Sequence, residues 1–364
     1  MILQVNFAFD RRLLDAEALL ARYTTLTGWS EALLDAGADG VMVVQRFHHD
    51  LTVTRNGVVY LFRRGSSLAA LSSIRASLAH VNGLNFPLRT GLLRAWLPSS
   101  TAIVAQDHGS APPGRRHAAR RLLMRAVDAF LFTSCEQADP WRTARLIGDR
   151  QPVFAVLEGS TRMRPIPRDR AREISGVTGE PALLWVGRLN ANKDPLTVLD
   201  GFAAARSQLP GAQLTMVFGE DDLLPAVRER LASSPDLTRR VRLVGRVPHD
   251  RIAAYFSAAD LFVLGSHHEG SGYALIEACA CGAAPVVTRI PSFREMTGDG
   301  TIGRLWTPGD AADCARAIVE AASINRDAAR TASLSHFDRC LSWRAVGARA
   351  LSIYQEVVRR RRSD

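Results

Sequence analysis

Leu183-Leu184-Trp185-Val186-Gly187-Arg188-Leu189-Asn190-Ala191-Asn192-Lys193-Asp194-Pro195 is the stretch that decides the fold class. Four apolar residues read as a buried strand, and a charged loop leads from them into the helical pattern 195–208. The same alternation continues outward. Strands are expected at 213–218, 241–244, 261–264 and 285–288, with helical patterns at 224–232, 250–257, 273–281 and 310–322 between or after them. Short β-branched runs alternating with longer amphipathic stretches indicate α/β construction on parallel sheets. Toward the N-terminus, strands are expected at 2–9, 41–47, 102–106, 129–133 and 153–157. Asn56-Gly57, between 51–55 and 58–63, predicts a hairpin, because Asn-Gly favours the tight turn. The crowding of Gly159, Pro165, Pro167, Gly176, Gly179 and Pro181 marks a boundary. Two doubly wound, Rossmann-like domains are therefore expected, 1–176 and 177–340. A terminal helical segment, 341–364, is left to pack on either of them.

Composition narrows the function classes. The chain has 364 residues, enough for two domains with sizeable cores, and its 47% hydrophobic and 23% charged residues are an ordinary globular balance. The longest apolar run, 273–287, is interrupted by Glu277, so no membrane span is expected. Met1 to Phe7 shows no basic leader region, and five cysteines form no CxxC pair. A secreted, disulfide-built protein is not expected, and a reducing cytoplasm is. Of the 46 basic residues, Lys193 is the sole lysine. Arg and Lys are near-equivalent on solvated surfaces but differ where a compact, rotatable ammonium is needed.

Two segments carry chemistry. Ligands of open parallel sheets bind at the carboxyl ends of strands. Arg188 and Lys193 fall there, five residues apart, as two cations suited to a diphosphate. An ordinary solvated loop is the alternative reading. The second segment, His267-His268-Glu269-Gly270-Ser271-Gly272-Tyr273-Ala274-Leu275-Ile276-Glu277, leaves a strand, turns through two glycines and enters a helix. Backbone N–H groups near Ser271–Tyr273 would face an anion there. Glu269, before the helix, can reach the hydroxyls of a group held over the loop, and Glu277 a ribose diol.

Gly187-Arg188 with Lys193, followed by Glu269-Gly270-x-Gly272 and a Glu-x7-Glu spacing, resembles family 4 of the retaining glycosyltransferases, whose fold is GT-B. The resemblance runs over about 182–325, and more weakly over the first domain and the closing helix. It implies two Rossmann-like domains facing a central cleft, with the terminal helix crossing back to the first domain. It also implies that Arg188 and Lys193 hold the donor diphosphate and that Glu269 contacts the donor sugar. Gly270, Ser271, Gly272 and Tyr273 then supply backbone contacts, Glu277 binds the ribose, and the backbone near Val247 borders the base. Ser271 stands where the family usually has Phe. In the first domain, Gln106-Asp107-His108-Gly109 resembles the segment whose histidine lies beside the donor sugar, which makes His108 a positioning and hydrogen-bonding group. Leu26-Thr27-Gly28-Trp29 partly matches a glycine loop before a helix, and so offers Gly28 for a phosphate or acceptor contact. Ser134-x-Glu136 has the family's look without an assigned role.

The resulting expectation is a retaining transferase that moves a hexose-type sugar from a nucleoside diphosphate sugar to a glycan, lipid-linked or small-molecule acceptor. A nucleotide-sugar epimerase on the same fold and a non-catalytic nucleotide-sugar-binding protein are the alternatives. No cofactor is expected beyond the nucleotide-sugar co-substrate, and no metal, because the chain has no Asp-x-Asp pair and the two cations can neutralise the diphosphate. The His48-His49 and His267-His268 pairs lack partners at metal-ligand spacing. Gly298-x-Gly300-x-x-Gly303 fits a dinucleotide fingerprint but follows no expected strand. Residues 1–176 hold 23 Arg against 15 acids, and residues 177–364 hold 23 basic against 21 acidic residues. With the basic stretch 115–125, this suggests contact of the first domain with an anionic acceptor or an acidic membrane on the cytoplasmic side. Arg bias on a solvated helix accounts for it equally. No aromatic-interleaved basic motif points to nucleic acid.

Overall fold

The computed structural model describes residues 1–64, 71, 73–112 and 117–363. The chain divides into two compact units: Met1–Ser160 together with Trp343–Asp364, and Thr161–Ser342. Among the described residues the first unit holds eight strands: β1 (Ile2–Asn6), β2 (Val41–Phe47), β3 (Leu51–Arg55), β4 (Val58–Arg64), β5 (Leu78–Asn82), β6 (Ala102–Gln106), β7 (Ala129–Phe132) and β8 (Val153–Ala155). They form one sheet in the order β3-β4-β2-β1-β5-β6-β7-β8. All neighbours are parallel except β3 and β4, where Arg55 opposes Val58 across a two-residue turn. Asn56 (φ 49°) and Gly57 (φ 78°) both have positive φ, as the tight hairpin expected from Asn-Gly requires.

The second unit holds β9 (Ala182–Gly187), β10 (Gln213–Phe218), β11 (Val241–Gly245), β12 (Leu261–Leu264), β13 (Ala284–Thr288) and β14 (Arg304–Trp306). They form a parallel sheet in the order β11-β10-β9-β12-β13-β14. Leu183, Leu184, Phe262 and Val263 are fully buried, as strands covered by helices on both faces demand. The strand order reverses direction between β9 and β12, so the crevice at their carboxyl ends is where a doubly wound sheet takes a ligand.

The expected boundary at residue 176 is corrected to 160/161. Helix Arg168–Ser175 belongs to the second unit. Its Arg168 guanidinium donates to Asp260 at 2.9 and 3.1 Å, and Asp260 also accepts from the Ala182 N–H at 2.8 Å. Ala171 and Val177 pack with Ala182 and Ala258. The glycine read as a boundary, Gly176, ends that helix in the left-handed conformation (φ 64°) instead of ending a domain.

Helix Trp343–Ser363 packs into the first unit, along helix Thr24–Asp35. A Cβ at Gly347 would lie 2.1 Å from the Ala32 carbonyl oxygen, so only glycine lets the helices approach this closely. Tyr354 hydroxyl accepts from Trp29 Nε1 at 3.1 Å and donates to His80 Nδ1 at 2.8 Å. Burial drives the His80 pKa down to about 3, helped by the nearby charge of His108, so a neutral imidazole accepts that bond.

Candidate active site

The loops after β9 and β12 are joined side by side. The His267 N–H donates to the Asn192 carbonyl at 2.9 Å, and the Asn192 side-chain amide both donates to and accepts from the backbone of His268 at 3.0 Å. His267 Nε2 lies 3.1 Å from Asp194 Oδ2. Asn190 and Asp194 cap the short turn Ala191–Lys193 and the helix Pro195–Ala205 through their side chains. This stitching brings Lys193 and Glu269 together: the ammonium is ion-paired to Glu269 Oε1, with both side chains 12% exposed. Ser266 Oγ donates to the same oxygen at 2.8 Å and orients the carboxylate.

Arg188 follows β9, with Nη1 3.8 Å from Glu220 and its side chain 57% exposed. Gly270 and Ser271 lead into Gly272, the N-cap of helix Tyr273–Cys281, at φ 56°. A side chain at Gly272 would also meet Met296 Sδ at 2.8 Å. Both the backbone angle and the packing therefore require glycine where the helix N-terminus opens. Tyr273 begins this helix, whose first-turn N–H groups point along the axis toward the β12 loop.

Glu277 lies just over one turn further along, with its side chain 15% exposed and Oε1 3.7 Å from His249 Nε2. The Glu277 carboxylate raises the His249 pKa above the ordinary value of 6.5. Val247 is half-buried in the loop between β11 and helix His249–Ala258. His249, at the start of the helix that follows this loop, thus adjoins Glu277. His249 was not singled out from sequence, because nothing in its spacing ties residue 249 to residue 277.

In the first unit, His108 follows β6 and Glu158 follows β8. His108 Nδ1 pairs with Glu158 Oε2, with the His side chain 34% and the Glu side chain 3% exposed. Asp107 turns the loop by accepting the Gly109 N–H at 2.9 Å and the Ser110 N–H at 3.1 Å. Burial pulls the His108 pKa down. The Glu158 hydrogen bond and charge, with Asp107, outweigh it and hold the imidazole above 6.5. Sequence reading missed Glu158, because fifty residues separate it from His108 and only the sheet brings them together.

Gly28 is corrected. It lies inside helix Thr24–Asp35, buried, where a Cβ would meet the Trp343 ring at 2.4 Å. It is a packing position for the terminal helix, within a helix and not in a loop. Ser134 caps the turn Cys135–Ala138 in a reciprocal capping box with Gln137, a local structural role. Gly298 ends helix Pro291–Thr297, which accounts for the discarded fingerprint. Residues 115 and 116 of the basic stretch lie outside the described residues, while helix His117–Met124 continues it.

A family described as "Glycosyl transferases group 1" matches residues 167–333, the span that holds Arg188, Lys193 and Glu269 to Glu277. The GDP-mannose:cellobiosyl-diphosphopolyprenol alpha-mannosyltransferase of Xanthomonas campestris is 27% identical over 320 residues, covering 84% of this chain and 81% of that protein. Sucrose-phosphate synthase from Thermosynechococcus elongatus superposes with a TM-score of 0.66 at 19% identity, over 99% of each chain. An E. coli structure described as trehalose-6-phosphate bound with UDP-2-fluoro glucose gives a TM-score of 0.66 at 10% identity, over 98% of this chain and 99% of that one. The fold is GT-B, and residues 167–333 are similar to the group 1 glycosyltransferases.

Proposed function

We propose that this glycosyltransferase moves a hexose-type sugar from a nucleoside diphosphate sugar to a sugar-containing or lipid-linked acceptor, with retention at the anomeric carbon. The observation that carries the reading is the Lys193–Glu269 pair at the switch point of the second sheet, beside a glycine-lined helix N-terminus. An ammonium has three N–H donors, so Lys193 can hold Glu269 and a phosphate oxygen together. Arg188, more exposed, supplies the second cation. As the sugar–phosphate bond breaks, charge develops on the departing diphosphate, and these cations and the helix N-terminus stabilise it. Glu269 reads sugar hydroxyls, Glu277 the ribose, and the Val247 backbone the base. His108, held by Glu158, is proposed as the positioning group for the sugar.

No protein nucleophile is assigned. The acceptor oxygen bonds the anomeric carbon on the face the diphosphate leaves, and the acceptor proton passes to the leaving phosphate oxygen. The relative whose name specifies a diphosphopolyprenol acceptor supports a lipid-linked one here. The proposed place of action is the cytoplasm or its membrane face. Arg188 and Lys193 supply the positive charge at the diphosphate, so the reading needs no resident metal or cofactor.

A screen of nucleoside diphosphate sugars for thermal stabilisation and slow hydrolysis tests this. Lys193→Ala and Glu269→Ala are each expected to cut turnover about a hundredfold or more, the scale of losing one preorganised charge-stabilising contact. EDTA should leave the wild type unchanged. Full activity in both variants sinks the assignment, and an epimerised nucleotide-sugar without released diphosphate would make the chain an isomerase.

A further inference from the structure

Helix Pro87–Trp96 carries Leu88, Leu92 and Trp96 at four-residue spacing, so they share one face. That face is turned to solvent, with the three residues 61%, 45% and 41% exposed, while Thr90 and Leu93 are buried on the other side. Helix His117–Met124 packs tightly against it, since a Cβ at Gly91 would meet Leu123 Cδ2 at 2.6 Å. This second helix adds Leu122, 65% exposed. Four of the seven exposed large hydrophobic residues among the described residues thus sit on two adjoining helices. Scattered exposed leucines need no explanation, but a contiguous apolar ridge marks a contact surface.

Arginine predominates beside the ridge. Arg94 of the first helix is ion-paired at 2.7 Å to Asp128, which also takes Arg361 at 3.3 Å. Arg120 and Arg121 are half-buried and Arg125 is exposed on and just after the second helix. Beyond Trp96, Arg361 of the terminal helix donates to the Ser99 carbonyl at 3.1 and 3.2 Å. That contact brings exposed Arg359, Arg360 and Arg362 to the same end of the ridge.

We propose that this surface docks the chain on a bilayer rich in acidic phospholipid. Leucine side chains enter the acyl boundary, Trp96 sits at headgroup depth, and the arginines meet anionic headgroups. The exposed positions of the first helix are Leu88, Leu92, Ala95 and Trp96, which offer almost no directional hydrogen bonding. An apolar, arginine-flanked ridge without such groups matches a fluid anionic surface better than the specific surface of an acidic protein. The proposal goes beyond the transferase reading and does not depend on which sugar is moved.

The test is sedimentation of the full chain with vesicles of phosphatidylcholine alone or mixed equally with phosphatidylglycerol. Binding to the mixed vesicles at least tenfold stronger than to the neutral ones is expected. Leu92→Glu combined with Trp96→Glu should lower it at least tenfold with an unchanged melting temperature. If that variant melts early, Leu88→Gln with Leu122→Gln is judged by the same tenfold loss. Brominated acyl chains should quench a fluorescence component that disappears in Trp96→Phe. Absence of wild-type binding to acidic vesicles overturns the proposal and leaves the face to an acidic protein. Variants that bind like wild type, or no Trp96-dependent quenching, overturn it as well.

Discussion

Lys193 and His108 reach charge stabilisation by opposite routes. Lys193 shares its partner, Glu269, with a serine hydroxyl at a partly open strand end. His108 leans on Glu158, a carboxylate almost fully withdrawn from water, which favours the imidazolium. A histidine whose folded pKa is raised above 6.5 contributes stability that is complete below that pH and lost as pH rises through the folded value. Glu158→Gln is therefore expected to lower the His108 pKa, read by NMR titration of its ring protons. The stability gap from wild type should be widest below pH 6.5 and narrow toward pH 9, measured by urea denaturation. A gap that stays constant across this range would mean that Glu158 acts by packing alone.

Among the elements, the terminal helix and helix Thr24–Asp35 depend on two glycines that remove side chains from their contact, Gly28 against Trp343 and Gly347 against Ala32. Gly347→Ala is expected to destabilise the first unit by about 1–3 kcal/mol, since the added methyl meets backbone that cannot rotate away. Thermal unfolding followed by tryptophan fluorescence would show it. The loops after β9 and β12 work differently. There Asn192 mimics a strand neighbour, so two loops act as one rigid rim around Lys193 and Glu269.

For the molecule as a whole, the last 22 residues complete the first unit even though they follow the second in the chain. Val346, Ile353 and Val357 are buried there. At about 1.5–3 kcal/mol per buried aliphatic side chain, their loss is comparable with the whole stability of an ordinary domain, about 5–15 kcal/mol. Truncation after Ser342 should leave the first unit protease-sensitive while residues 161–342 stay resistant, as limited proteolysis would show. Equal resistance of both units would contradict this.

The sequence by itself determined the class of fold and the strand-end motifs. Hydrophobic period and the Asn-Gly turn are local, and Arg188, Lys193 and Glu269 to Glu277 sit within short segments whose chemistry is carried by spacing. It misjudged Gly28, because a glycine that admits a distant tryptophan looks the same along the chain as one in a phosphate loop. The boundary at 160/161, the Glu158 partner of His108 and the meeting of Lys193 with Glu269 were decided only by tertiary structure. Each rests on residues from 50 to 92 positions apart that meet at strand ends, and charge and burial at such range depend on which elements become neighbours.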